Sequence, residues 1–263
     1  MTMIMLAPNG GRRLQSEHPA IPLSIAETAD CARDGAAAGA DAIHVHLRDA
    51  AGGHLLDAGG YREMMAEVAR LAPSLAVQIT TESIGIYTPA EQMRVVRESR
   101  PAYASCALRE MIVDDAAALA FYAEMAEAGI GIQHILYTEA DALRLRDLVT
   151  TGALPAATLS LIFVVGSYPD SGGIAPRQLA KFLGATEGLT AEWSVCAFGQ
   201  NETRVLAAAM ALGGHARVGF ENSLQMADGS IAADNAARLR EIAGVRAALG
   251  LTPGDTARAL GGL

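Results

Sequence analysis

The segment Asp41-Ala42-Ile43-His44-Val45-His46-Leu47-Arg48-Asp49 sets two histidines on alternate positions of an apolar, strand-like run. Alternate side chains of a strand leave the same face, so both imidazoles point one way. Imidazole is a preferred ligand of zinc and neighbouring divalent metals, and a His-x-His face can fill two coordination positions of one ion. The bland reading is a pair of structural histidines satisfied in a core. The run leaves through Arg48-Asp49-Ala50-Ala51-Gly52-Gly53, a polar exit that puts the pair near the strand's C-terminal end. That end is where α/β folds carry their chemistry.

A repeating frame must hold such a pair in place. Apolar strand-like runs fall at residues 3–7, 42–47, 75–80, 103–107, 131–137, 158–165, 192–196 and 216–220. Helical patterns rich in alanine alternate with them at 24–38, 60–71, 89–98, 115–128, 140–149, 175–184, 201–212 and 233–249. Ser24 and Glu27 form a capping box, and Gly39, Gly129 and Gly213 stand just past helical runs. Eight strand–helix units over ~250 residues predict an α/β fold of the (β/α)8 TIM-barrel type. A doubly wound sheet is the alternative, but no GxGxxG follows the first strand. No linker or low-complexity stretch divides the chain, so residues 1–263 are expected to form one domain.

In a barrel the C-terminal ends of different strands converge on one mouth. Here those ends are residues 9–13, His44 with His46, residues 80–83, Ser105, and residues 137–139, 166–168 and 217–222. A third metal ligand should come from this set, and Glu221, at the end of the eighth strand, is the best candidate. Two imidazoles and a carboxylate leave one position open, the pattern of a catalytic zinc site. Equally, Glu221 could be an acid facing a helix N-terminus. Arg217 lies four residues earlier, on the same face of a strand, where a guanidinium suits a carboxylate or enolate substrate. It could instead close the barrel as an ion pair. Thr80 and Ser105 could donate hydroxyl hydrogen bonds to the same substrate oxygens, or simply cap loops. His134, within an apolar run, reads as structural or as support for the site, and His18, His54 and His215 have no partner visible in sequence.

Half of the residues are hydrophobic (51%) and few are charged (19%), as in a well-buried globular protein. The net charge of −9 argues against a nucleic-acid surface but leaves room for a local arginine pocket. Cys31, Cys106 and Cys196 are far apart and form no CxxC pair, which fits a reduced, cytoplasmic protein with buried thiols. Residues 1–7 are apolar but lack the charged start and cleavage region of a signal peptide, and no apolar segment approaches the ~20 residues of a membrane span. A cytoplasmic protein without a membrane partner is expected.

Taken together and in order, these residues resemble the β-keto acid cleavage enzymes, the family that includes 3-keto-5-aminohexanoate cleavage enzyme. The resemblance runs through Ala7-Pro8-Asn9-Gly10-Gly11, the segment from Ala38 to Arg48, Val77-Gln78-Ile79-Thr80-Thr81, Phe163-Val164-Val165-Gly166, and Gly213 to Glu221. It implies a zinc-dependent barrel, commonly a homo-oligomer (dimer or tetramer), that uses acetyl-CoA to split a β-keto acid. The products would be acetoacetate and a new acyl-CoA, released by a retro-Claisen route. By position, His44, His46 and Glu221 match the zinc ligands and Arg217 the active-site arginine. Thr80, Ser83 and Ser105 match substrate-contact positions.

Two departures bear on mechanism. After the ligand glutamate the family commonly has an aspartate assigned to acid–base work, and here the residue is Asn222. A carboxamide takes no proton at neutral pH. Glu82 stands where relatives often have glycine and is the candidate replacement; otherwise it is a solvated loop acid. The second departure is Arg12, where the amino-substrate member carries an acid. A cation there favours an anionic or polar substrate tail, unless Arg12 turns outward and Arg13 takes its place.

Other classes also begin with His-x-His on a barrel strand. A metal-dependent hydrolase or lyase, acting through activated water or an enolate, is the alternative. It would normally add histidines and an aspartate at later strand ends. A non-catalytic metabolite-binding barrel would keep the cavity and lose turnover, and Asn222 is the feature that favours it.

Overall fold

Three helices begin at the capping signals written into the chain. Ser24 with Glu27, Thr88 with Glu91 and Thr138 with Asp141 each exchange side-chain and backbone hydrogen bonds across the first turn. Each box satisfies amide groups that the first helical turn leaves without partners. The strands between helices are largely buried on both faces, as parallel strands under a helical layer must be; all six residues of Ser160–Val165 are buried.

The computed structural model describes residues 1–167 and 173–262, so Tyr168, named among the strand-end residues, lies outside the described residues. In chain order the strands are β1 (Ile4–Leu6), β2 (Ala42–Val45), β3 (Leu47–Arg48), β4 (His54–Leu55), β5 (Ala76–Thr80), β6 (Tyr103–Ala107), β7 (Gly131–Leu136), β8 (Ser160–Val165), β9 (Glu192–Ala197) and β10 (His215–Val218). The helices are α1 (Ile25–Ala37), α2 (Ala58–Leu71), α3 (Pro89–Ser99), α4 (Leu108–Met111), α5 (Asp115–Glu127), α6 (Glu139–Thr150), α7 (Leu179–Ala185), α8 (Glu202–Ala211), α9 (Asn235–Ala248) and α10 (Thr256–Ala259). A closed parallel barrel runs β1-β10-β9-β8-β7-β6-β5-β2 and back to β1. The α/β TIM-barrel expectation is met.

Besides shifted element ends and the short added helices α4 and α10, three details differ from the sequence reading, and two of them shape the site. The second strand stops at Val45, because the carbonyl of His46 accepts from the Asn9 side chain (3.2 Å) instead of a neighbouring strand. Leu47–Arg48 then pairs antiparallel with His54–Leu55, an added hairpin over the barrel mouth. The last strand stops at Val218, so Glu221 sits in a turn and not in the strand. Gly219 makes that turn: its φ is +147°, and a Cβ there would lie 2.3 Å from the Ala7 carbonyl oxygen. The Ala7 carbonyl accepts instead from the Glu221 amide (3.1 Å), which fixes where the acid leaves the backbone. The third is local: Pro176–Gln178 forms a 3-10 turn and α7 proper starts at Leu179.

Polar ties hold the outer layer. Arg238 of α9 is fully buried and pairs with Glu202 of α8 and with Glu241. At the barrel's N-terminal end, Ala259 and Leu260 of the α10 segment pack on Met3, Met5 and Ala42. Gly131 admits that segment, since a Cβ there would lie 2.6 Å from the Leu260 carbonyl oxygen. Among the described residues no helix is long and apolar enough to cross a membrane.

Candidate active site

β2 aims His44 into the barrel, and the break after Val45 keeps His46 on the same side. Their Nε2 atoms face each other at 3.1 Å. From the end of β10, which only β1 separates from β2, the Gly219 turn delivers Glu221, whose Oε2 lies 3.8 Å from each of those nitrogens. Two ligands of a tetrahedral ion bound at 2.0–2.1 Å stand about 3.3 Å apart. The three donor atoms, all within 4.8 Å of one another and all buried, fit that geometry. Glu221 Oε2 and His46 Nδ1 are buried without a hydrogen-bond partner among the described residues. A buried orphan carboxylate oxygen facing two imidazole nitrogens is costly unless a cation completes it.

Arg217 projects from β10 beside this triangle. Its Nη2 donates to Glu221 Oε1 at 3.0 Å and lies 3.2 Å from Cys196 Sγ. Burial pushes the Glu221 carboxyl up, and Arg217 opposes that rise most strongly. Burial lowers both imidazoles well below their ordinary range, with Arg217 adding at His44 and His44 adding at His46. Neutral imidazole is the form that binds metal. His44 Nδ1 meets Gln78 Oε1 at 2.8 Å, the kind of supporting bond that orients a ligand ring.

The triangle lies in a cavity of about 510 Å³, lined also by Arg12, Thr80, Glu82, Glu110, Tyr137 and Phe198. Arg109, Gly166 and Ser167 line it as well. Glu82 is not a solvated loop acid: it is partly buried, with Oε2 3.8 Å from His46 Nδ1. Its amide donates to Thr80 Oγ1 (3.0 Å), and its carbonyl meets His54 Nε2 (2.8 Å). Burial pushes its carboxyl up to about 7, with Glu221 and Glu110 adding to the rise against Arg12 and Arg217. Arg12 is exposed and sits on the cavity rim, whereas Arg13 turns to Glu17 and the Glu221 carbonyl.

Three singled-out residues stand off the cavity lining. Asn222 is fully buried and lines an adjoining hollow with Arg13, Phe198 and Gly199. Neither of its side-chain polar atoms has a partner among the described residues. The Ser83 hydroxyl accepts from the Gly85 amide while its own amide donates to Glu110. Ser105, expected at a strand end, lies in the middle of β6 with a buried hydroxyl that has no partner among the described residues. His134 packs edge-on to Tyr122 (4.8 Å between ring centres), away from the cavity, and His215 pairs with Glu192.

The sequence reading missed Arg109, Glu110 and Gln78. Arg109 stacks over the Tyr137 ring at 4.6 Å and pairs with Asp141. Glu110 accepts from Gln92 Nε2 at 2.6 Å. Both follow directly on β6, so extending the strand-end inventory past Ser105 would have found them. Gln78 carried no such signal, because a glutamine inside a strand does not announce a partner on the next one.

The chain matches the β-keto acid cleavage enzyme family over residues 1–263. It is 24% identical to the 3,5-dioxohexanoate:acetyl-CoA acetone transferase of Paraburkholderia graminis, over 91% of this chain and 88% of that protein. It is also 24% identical to the 3-keto-5-aminohexanoate cleavage enzyme of Fusobacterium nucleatum, over 89% and 87% of the two chains. Among solved structures, the binary complex of ObcA with oxaloacetate superposes with a TM-score of 0.70 at 12% identity. That match covers 92% of this chain and 66% of ObcA, just under two thirds of its length, and shows the fold alone. A barrel whose mouth gathers His44, His46, Glu221 and Arg217, matched from end to end, places the chain in the β-keto acid cleavage enzyme family.

Proposed function

We propose that this chain is a zinc-dependent β-keto acid cleavage enzyme that condenses its substrate with acetyl-CoA and yields acetoacetate and a new acyl-CoA. The observation that carries the reading is the buried His44–His46–Glu221 triangle opening into a cavity of about 510 Å³. A divalent ion held there supplies charge stabilisation for an enolate formed next to a keto group. Zinc fits the donor set, although another divalent metal of similar preference would also fit.

The chain's own residues do the rest. Arg217 clamps one oxygen of Glu221 and presents a buried guanidinium to substrate oxygens. Thr80 holds the Glu82 amide and lines the cavity, so Glu82 is placed over the site through its own backbone. We assign Glu82 the acid–base work that Asn222 cannot perform, because Glu82 lines the cavity and Asn222 does not. Arg12 and Arg109, both exposed and both lining the cavity, favour a substrate whose tail is anionic or polar. Ser83 and Ser105 support the loop and strand end around Glu82 and reach substrate only if their hydroxyls re-orient. The active form is a homo-oligomer, dimer or tetramer, which light scattering tests.

The deciding experiment follows acyl-CoA formation from acetyl-CoA and a panel of β-keto acids with zinc-loaded protein and a His46→Ala control. Product that needs His46 supports the reading, and a preference for anionic or polar tails supports the role of Arg12. Bound zinc with no product from any acid would overturn it in favour of a hydrolase or lyase.

A further inference from the structure

A continuous chain of buried hydrogen bonds leaves His44 and crosses the interior of the barrel. His44 Nδ1 meets Gln78 Oε1 on β5 at 2.8 Å, and Gln78 Nε2 donates to Gln133 Oε1 on β7 at 3.2 Å. Gln133 Nε2 then donates to Ser160 Oγ on β8 (3.2 Å) and to Ser194 Oγ on β9 (3.3 Å). Ser160 donates its only hydroxyl hydrogen to the Ala259 carbonyl of α10 at 2.7 Å. Gln78, Gln133, Ser160 and Ser194 are all fully buried.

The direction of this chain is not free. A backbone carbonyl can only accept, so Ser160 must donate to Ala259 and can only accept from Gln133. Gln133 therefore turns its nitrogen toward the serines and its oxygen toward Gln78. That leaves Gln78 to donate with Nε2 and to accept with Oε1, and its oxygen faces His44. Reversing either amide would press two oxygens together or strand a buried carbonyl, each costly in a dry interior. The consequence at the far end is a hydrogen on His44 Nδ1 and a lone pair on Nε2. Nε2 is the atom that faces His46 and Glu221.

We infer that Gln78, Gln133 and Ser160 form a positioning relay, anchored on the Ala259 carbonyl at the barrel floor, that fixes the His44 tautomer and so its capacity to bind metal. The inference rests on His44 being a metal ligand, as proposed above. It assigns a function to the C-terminal segment, whose carbonyl lies 99 residues along the chain from Ser160. None of these relay residues is a catalytic residue; they act through His44.

The test uses zinc-free protein labelled with 15N, with long-range proton–nitrogen spectra reporting the tautomer of His44. Zinc alone is then titrated against a chromophoric chelator. Wild type should show the Nδ1–H form. Gln133→Leu breaks the relay at its centre, and the double variant Ser160→Ala/Ser194→Ala removes both acceptors of Gln133 with little change in volume. Both variants should lose the single tautomer and bind zinc about 10–100-fold more weakly, the usual effect of removing support behind a ligand. An unchanged tautomer in both variants, or unchanged zinc affinity despite a shifted tautomer, overturns the inference. A wild type that binds no zinc but loses its tautomer in the variants would retire the metal reading and leave the relay's control of His44 standing.

Discussion

Arg217 and Glu221 meet across the Gly219 turn, with Nη2 donating to Oε1 at 3.0 Å and Oε2 left facing the two imidazoles. The guanidinium therefore does two things at once. It offsets the cost of burying the acid, and it selects which oxygen remains for a metal. Arg217→Met should lower zinc affinity about 10–100-fold, as loss of an orienting partner commonly does. Chelator competition measures it. Lysine should not rescue the site fully, since an ammonium lacks the fixed fork of donors.

Glu82 contributes no ligand to the triangle, so its removal should separate binding from turnover. Glu82→Gln is expected to keep its zinc content while kcat falls about 10²-fold or more, the scale of general acid–base catalysis. A Gln variant with wild-type kcat and an unchanged pH profile would remove Glu82 from the reaction.

Arg12 lies on the cavity rim. Reversing its sign should invert the preference between substrates rather than abolish turnover. Arg12→Glu should shift the kcat/KM ratio from anionic-tailed toward ammonium-tailed β-keto acids. An unaltered ratio across the panel would show that the tail binds elsewhere.

His134 gives a pH dependence of stability with a definite sign. Burial alone lowers its pKa to about 4, below the ~6.5 of an unfolded histidine. Between those values the unfolded chain binds a proton that the folded one does not. Stability is thus lost as pH falls from about 6.5 toward 4, by up to ~3 kcal/mol from this residue. His134→Leu should remove that share, read as a smaller drop in unfolding free energy between pH 7 and pH 4. Equal drops in both proteins would assign the acid sensitivity to other groups.

Arg238 and Glu202 tie α8 to α9 without access to solvent. Arg238→Met strands the Glu202 carboxylate and should cost about 3–5 kcal/mol in urea unfolding. The double variant with Glu202→Leu should recover much of that loss, because a buried pair can be replaced by apolar packing more cheaply than it can be halved.

Local chemistry was legible in the order of residues alone. Strand periodicity sufficed to put His44 and His46 on one side and to give Arg217 and Glu221 a common face, but their direct contact depends on the turn after Val218. Capping residues marked where helices begin, and the alternation of strands and helices announced the barrel. These features depend on neighbours close along the chain. What only the closed barrel decided depends on partners far apart in sequence. Gln78 finds His44 from 34 residues away, and Gln133 finds Ser194 from 61. Glu82 lines the cavity while Asn222 is buried beside a separate hollow, a difference of tertiary placement that no spacing rule encodes. Strand register and barrel closure set which side chains share the interior, and those are properties of the whole sheet.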